Sequence, residues 1–307
     1  MAHYVSAFSN GFFLRVTTSL LIINTGSRYG DSALSEPLQS LHGAVETVCP
    51  DDPESLPDLI RDRATEVDQI ILCGGDGTIN LALDALLEVN RPVGLIPTGT
   101  ANDLARSLEI PTDPEQAVEI INAGHQRRSN VSRVNGVSFI NAFGMGIGPQ
   151  TTREMDDTEK SKFGALAYLL GLIRAQKAQT KFKATISSDT ENHVGSFLQI
   201  TVGNGIHYGG GMTISDQAEL ADGRLDVLLV KAQSRWKLLS HALRFKFGAF
   251  KHEETLVHWR CSQVEIETDR VLDITADGEF LTQTPAQCKV LPDTLNFFAP
   301  QVAGNDR

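Results

Sequence analysis

Positive charge is scarce in this chain. Its 307 residues hold 27 Lys and Arg against 38 Asp and Glu, a formal net charge of −11 with histidine neutral. General nucleic-acid binding needs a basic face, so no nucleic-acid partner is expected. Cysteine is scarcer still. Cys49, Cys73, Cys261 and Cys288 are scattered with no Cys-x-x-Cys pair, which argues against a zinc site or a disulfide framework and fits a reducing compartment. No run of about 20 apolar residues occurs, so no transmembrane helix is expected. Phe12-Phe13-Leu14 is interrupted by Arg15, Thr17 and Thr18 and reads poorly as a secretory signal. Met1 to Thr18 shows no clear pattern and is expected to be a frayed or dispensable extension. Repeats and low-complexity tracts are also missing. So are the P-loop pattern and the Gly-x-Gly-x-x-Gly dinucleotide turn, which removes standard NTPases and Rossmann dehydrogenases.

What is present is an ordinary globular composition, 41% hydrophobic and 21% charged, on a chain long enough for two domains with real cores. The first part alternates. Ser19 to Asn24, Ala44 to Val48, Ile70 to Cys73 and Arg91 to Pro97 read as buried strands. Between them the pattern predicts helices over Ser32 to Leu41, over Asp51 to Thr65, and from Thr78 onward, where Ile79, Leu81, Leu83, Leu86 and Leu87 line one face. Another helix has Asp113 as N-cap, Pro114 at its first position and Gly124 just past its end. Strands and helices alternating in this way imply a mainly parallel sheet. After Gln126 strand-like runs follow one another: Val137 to Phe143, Phe182 to Ser187, Gly195 to Gly203, Leu225 to Lys231, Gln263 to Thr268 and Gln287 to Leu291. Two helical insertions are expected among them, Lys160 to Lys177 and Ser234 to Lys251. The expected division is an α/β domain over residues 1–130 and an antiparallel β domain over 131–290, with the boundary near Asn130.

The chemistry gathers where the third strand becomes a helix. Gly74, Gly75 and Gly77 surround Asp76 there. Glycines let backbone N–H groups approach an anion, and the helix start adds positive potential. Asp76 puts a carboxylate where phosphate and a metal would sit. Pro97-Thr98-Gly99-Thr100, followed by Ala101-Asn102-Asp103-Leu104-Ala105-Arg106, makes a second strand–glycine–helix unit. Two phosphate-competent turns in one sheet favour a nucleotide over a small anion. Ligands collect at the carboxyl ends of strands in such sheets, so Thr47 lies on the ligand side. Asn24-Thr25-Gly26-Ser27 is either a wall of the site or a plain strand-to-helix loop.

Gly74-Gly75-Asp76-Gly77-Thr78-Ile79-Asn80 followed by Pro97-Thr98-Gly99-Thr100-Ala101-Asn102-Asp103-Leu104-Ala105 resembles the diacylglycerol-kinase catalytic domain, especially that of the soluble bacterial-type lipid kinases. Phosphofructokinases and NAD kinases share the first turn; the second motif is the specific one. Val202-Gly203-Asn204-Gly205, Tyr208-Gly209-Gly210-Gly211-Met212, Asp222-Gly223-Arg224-Leu225-Asp226 and Asp277-Gly278-Glu279 match in family order, so the resemblance spans Ser19 to Pro300. It implies an NAD-kinase/diacylglycerol-kinase-like α/β domain that carries ATP and a C-terminal β-sandwich that bears on the lipid. A last strand near Leu295 to Phe298 would bring residues 291–307 back to the first domain.

The resemblance also implies roles. Thr47, the turn from Gly75 to Asn80, and Thr100 should contact ATP. With the rest of both motifs and the first strand end, the expected nucleotide site comprises Asn24, Thr47, Gly74, Gly75, Asp76, Gly77, Thr78, Ile79, Asn80, Thr98, Gly99, Thr100, Asn102 and Asp103. Glu279 should be the general base that takes the proton from the lipid hydroxyl, with Asp277 reaching the same cleft. Asp76 would stand near the β- and γ-phosphates and a catalytic Mg²⁺. Asp222 would bind a structural Mg²⁺ through its side chain, beside the backbone carbonyls of Glu219 and Arg224. These roles suit phosphoryl transfer, which needs charge neutralisation and a positioned acceptor. Two positions depart from the family. Its first strand usually ends Asn-Pro, with a following Ser-Gly, where this chain has Asn24-Thr25-Gly26-Ser27. After Asn-Gly it often has a basic or aromatic residue, where this chain has Ile206-His207; His207 either meets a phosphate or head group or packs in a loop.

Ser234 to Lys251 interleaves Arg235, Lys237, Arg244 and Lys246 with Trp236, Leu239, Phe245 and Phe247. Such a segment either lies in a bilayer interface or packs on its own sheet with basic side chains pointing outward. The expected protein is an ATP- and Mg²⁺-dependent kinase acting on a hydroxyl of diacylglycerol or a related lipid. It would be cytoplasmic, peripheral at the inner membrane face, with a lipid partner, and a homodimer is compatible with it. The rivals are a kinase of a soluble acceptor such as NAD or a sugar phosphate, and a non-catalytic lipid-binding regulator with the same fold.

Overall fold

The apolar runs of the first part become strands because both of their faces are covered. The computed structural model describes residues 16–24, 31–146, 181–204, 207–208, 212–213, 221–232, 256–276 and 279–301. The elements begin β1 (Thr18–Ile23), α1 (Asp31–Gln39), β2 (Ala44–Val48), α2 (Leu56–Arg63), β3 (Gln69–Gly74), α3 (Asp76–Val89), β4 (Val93–Pro97), α4 (Asp103–Ser107) and α5 (Pro114–Ala123). The strands pair in parallel in the order β2-β1-β3-β4. Leu20 and Ile22 of β1, Ile70 to Cys73 of β3 and Leu95 and Ile96 of β4 are sealed from solvent. From α3, Ile79, Ala82, Leu83 and Leu86 cover them at helical spacing. The helix signals hold at α5, where the Asp113 side chain accepts from the Gln116 N–H and Gly124 closes the end in the left-handed region.

The chain continues through β5 (Gln126–Val134), β6 (Val137–Phe139), β7 (Ala142–Gly146), β8 (Phe182–Ser188), β9 (Asn192–Gly203), β10 (His207–Tyr208), β11 (Met212–Thr213), β12 (Leu225–Lys231), β13 (Leu256–Cys261), β14 (Gln263–Thr268), β15 (Asp273–Ala276), β16 (Glu279–Gln283) and β17 (Ala286–Phe298). Here the pairing is antiparallel. The beginning of β9 pairs with β8, and its end pairs with β7 on one side and β12 on the other. That long strand therefore passes from one layer of the β-sandwich to the next. A second core fills the space: Phe143, Val202, Val227 and Trp259 meet Phe182, Ile186, Val264 and Cys288.

β17 joins the two parts. Its first residues pair with β14, it runs antiparallel to β5, and Phe297 pairs with Val93 of β4 in parallel. Leu295, Phe297 and Phe298 belong to the first core. One 15-stranded sheet consequently runs through both domains, apart from the small β10–β11 ladder. β5, β13, β15 and β16 are strands that the pattern does not reveal, and the expected boundary at Asn130 falls inside β5. The single strand expected over Val137 to Phe143 is broken at Ile140-Asn141, between β6 and β7. Thr25 to Ser27, the Lys160 to Lys177 and Ser234 to Lys251 insertions, Gly205, Gly209 to Gly211, Glu219, Asp277 and Gly278 lie outside the described residues. No helix among the described residues is long and apolar enough to cross a membrane.

Candidate functional site

The two glycine turns touch. A side-chain carbon placed on Gly75 would lie 2.8 Å from Gly99 Cα, and one placed on Gly99 would lie 2.6 Å from Gly75 Cα. Only glycine on both sides allows this backbone-to-backbone approach. The Thr98 N–H donates to the Gly74 carbonyl at 3.0 Å and continues the β3–β4 ladder into the turns. Asn102 holds the second turn in shape from a left-handed backbone (φ 51°, ψ 46°). Its Oδ1 accepts from the Gly99 N–H at 3.0 Å and its Nδ2 donates to the Gly99 carbonyl at 2.9 Å. On the other flank, Asn24 Nδ2 donates to Thr78 Oγ1 at 2.8 Å, tying the end of β1 to the first turn of α3. Gly74 is packed beneath that same Thr78 side chain, 2.5 Å from where a side-chain carbon would stand.

Asp76 is buried, and three groups of the protein hold its carboxylate. Oδ2 accepts from the Asp103 N–H at 3.0 Å. Oδ1 accepts from the Leu104 N–H at 3.1 Å and from Asn141 Nδ2 at 3.1 Å. A carboxylate has about four acceptor positions, so three are already filled by the protein. Asp76 is thus a bracket: it caps α4 and holds the second domain against the first through Asn141. These partners do not show in the sequence because they are distant along the chain. The two backbone donors come from the second turn and the amide from the break between β6 and β7. Neither is adjacent in sequence to Asp76.

Asn141 is extended by a buried polar network. Its carbonyl accepts from the Asn204 N–H at 2.7 Å. The Asn204 side chain donates to the Asn130 and Ile140 carbonyls at 2.7 and 3.0 Å and accepts from Ser132 Oγ at 2.7 Å. Sequence reasoning gave Asn141 no role. A polar residue in the middle of the apolar run Val137 to Phe143 was the available signal.

Glu279 completes the site from the other domain. It opens β16 and pairs with Ala276, while Ala276 pairs with Phe143 of β7. The ladder that supplies Asn141 therefore also positions Glu279. Its carboxylate oxygen lies 3.7 Å from where a side-chain carbon on Gly77 would stand. Glu279 and Gly77 are both exposed. The first N–H groups of α3 have no partner within the helix, so the surface between the two residues offers backbone donors on one side and a carboxylate on the other.

The remaining expected residues divide. Thr98 and Asp103 are sealed from solvent and Asn102, Thr78 and Ile79 nearly so; they shape the turns from inside. Asn80 is half-buried and Thr100 exposed. Thr47 is exposed but stands level with Leu21, and through it with Ile71, below the glycine turn. The Cys73 thiol is pushed up to about 11 by burial, so it is inert at the site. Asp222 has partners within the protein. Its Oδ1 accepts from the Arg224 N–H at 2.8 Å and its Oδ2 is ion-paired with the Arg260 guanidinium.

Residues 18–134 match the family model described as the diacylglycerol kinase catalytic domain, and residues 141–299 match the YegS C-terminal NAD kinase beta sandwich-like domain. The protein named "Putative lipid kinase SH2167" of Staphylococcus haemolyticus is 27% identical over 76% of this chain and 77% of its own length. "Putative lipid kinase SAS0691" of Staphylococcus aureus is 26% identical over 76% and 78%. Among solved structures, "Crystal structure of a putative diacylglycerol kinase from Bacillus anthracis str. Sterne" superposes with a TM-score of 0.78 at 25% identity, covering 96% of this chain and 99% of that one.

Proposed function

The chain belongs to the family that joins a diacylglycerol kinase catalytic domain to a YegS C-terminal NAD kinase beta sandwich-like domain, and from that premise we propose that it transfers the γ-phosphoryl group of ATP to a hydroxyl of diacylglycerol or a related lipid. One observation carries this reading: the Glu279 carboxylate stands 3.7 Å from the side-chain position of Gly77 although the two residues belong to different domains. A base that removes the acceptor proton has to lie beside the phosphate site, and a carboxylate next to the start of α3 supports that role for Glu279.

The N–H groups at the start of α3 bind phosphate oxygens. Gly77 leaves the surface bare, so a phosphate and an acceptor hydroxyl can approach together. Glu279 accepts the proton of the acceptor hydroxyl as the hydroxyl oxygen bonds to the γ-phosphorus and the bond from that phosphorus to the departing ADP breaks. The Asp76–Asn141 bracket fixes the spacing between Glu279 and the turn, which limits the motion spent in reaching an in-line geometry. The remaining acceptor position of the Asp76 carboxylate would hold a Mg²⁺ carried by the nucleotide's phosphates, and such an ion would offset phosphate charge.

The test is transfer from [γ-³²P]ATP to a panel of lipids in mixed micelles, with the product identified by mass spectrometry. No labelled lipid from any member of the panel sinks the proposal. Glu279→Gln is expected to lower kcat by about 10²- to 10⁴-fold while ATP affinity stays nearly constant. Undiminished turnover in that variant removes the base assignment.

A further inference from the structure

The family resemblance places a structural Mg²⁺ at Asp222, but the side chains around Asp222 do not fit one. Mg²⁺ demands near-octahedral oxygen ligands and is usually bound through one or two carboxylates. Each oxygen of Asp222 already has a partner: one accepts the Arg224 N–H across the turn at Gly223, and the other faces the Arg260 charge. Gly223 has a φ of 68°, so the turn that presents Asp222 to Arg260 is one that glycine favours.

Arg260 is placed there by strand register. It is the partner of Asp226 in the β12–β13 ladder, and its Nε lies 3.6 Å from Asp226 Oδ2. His258, two residues earlier on the same face of β13, donates from Nε2 to Asp226 Oδ1 at 2.7 Å. The side chain of Asp226 is 3% exposed, that of Asp222 16% and that of Arg260 29%. Two of the guanidinium nitrogens, Nε and Nη2, are shielded from solvent altogether and make no hydrogen bond, so they meet the carboxylates as ion pairs only. A guanidinium stays charged at any working pH, so it cannot make way by losing a proton. A divalent ion on Asp222 would meet that charge at contact distance and be repelled. Among the described residues no group of three or more His, Cys, Asp or Glu is placed to hold a metal.

We propose that in this chain the Arg260 guanidinium stands in for the structural cation. It cross-links the 222–224 turn to β12 and β13 as a fixed internal charge, and the β-sandwich is stable without a divalent ion. The inference does not depend on the acceptor of the kinase reaction. Its readout is thermal, so its failure is distinct from failure of the lipid assay.

The experiment uses the full chain, stripped of metal and free of nucleotide. Unfolding temperature is measured in EDTA and in rising MgCl₂, and MgCl₂ alone is titrated calorimetrically. The expected result is a Tm constant to within about 1 °C, whereas a site saturated well above its Kd would raise Tm by roughly 5 °C or more. Arg260→Gln is expected to lower Tm by several degrees and Arg260→Lys by less, because lysine keeps the charge without the fork. A saturable Mg²⁺-dependent rise in the parent protein that Asp222→Asn abolishes overturns the proposal, as does an unchanged Tm in Arg260→Gln. If Arg260→Gln does not fold, the parent protein and Arg260→Lys decide the question.

Discussion

Asp76 and Asp226 are buried to similar depth, 7% and 2% exposed, and the two domains hold them by opposite means. Around Asp76 the partners are neutral: two backbone N–H groups and the Asn141 amide. Around Asp226 they are side chains, Arg260 and His258. Backbone donors are fixed by the fold and have nowhere to go if the acceptor is lost. Arg260 has a second carboxylate, Asp222, and partial access to water. The same burial should therefore carry different energetic weight in the two regions. The glycine-turn region is built as a rigid frame, and the Asp226 region as an adjustable clamp.

The largest effect is expected at Asp76. Asp76→Ala strands three buried donors, at about 1 kcal/mol or more apiece, for a loss of about 3–4 kcal/mol in urea unfolding. Asp226→Ala should cost less, about 2 kcal/mol, because Arg260 keeps Asp222 and is not left as a lone buried charge. If the second variant proves the more damaging, the contrast between frame and clamp is wrong. Next come the glycines. Gly75→Ala drives a methyl group into the Gly99 backbone and should cost about 1–3 kcal/mol. Gly77→Ala meets only Glu279, at an ordinary contact distance. It should fold as well as the parent and still lose phosphotransfer, since it fills the gap between the helix start and the carboxylate. A matching fall in the stability of both variants would mean that the frame does not end at the touching pair.

How much of this was legible in the sequence depends on range. The strand–glycine–helix turns are local patterns, and both were readable, as were the caps of α5. The reason for Gly75 and Gly99 was not, because each serves the other across a span of 24 positions. Asp76 drew a phosphate or metal role because it sits among glycines; its actual donors arrive from residues 103, 104 and 141. β5 hid for another reason. Its sequence Gln126-Arg127-Arg128-Ser129-Asn130-Val131-Ser132-Arg133-Val134 is too polar to show a core face, yet Ser129, Asn130 and Ser132 are fully buried. The β17 ladder and the Asn204 network bind their backbone and the Ser132 hydroxyl in place of an apolar pattern. The pairing of Asp222 with Arg260 was not legible either, because Arg260 lies on β13, a strand set opposite by pairing rather than by spacing.

The smallest expected effect tests whether burial is what gives Asp76 its weight. Asp113 does the same chemistry as Asp76, a carboxylate oxygen accepting a helix N–H, but in the open: its Oδ1 takes the Gln116 N–H at 3.1 Å on an exposed surface. When Asp113 becomes Ala, water can reach the released donor, so the loss should be only about 1 kcal/mol, the usual value for an N-cap. In a chain of this size that is a fall of roughly 1–2 °C in Tm. Both aspartates start from the same bond type, so the ratio of the two losses measures what enclosure adds. A ratio near one would mean that water enters behind Asp76 as freely as behind Asp113. The contact between the domains at Asn141 would then have to open with little cost, and the rigid spacing between Glu279 and the glycine turn would lose its structural basis.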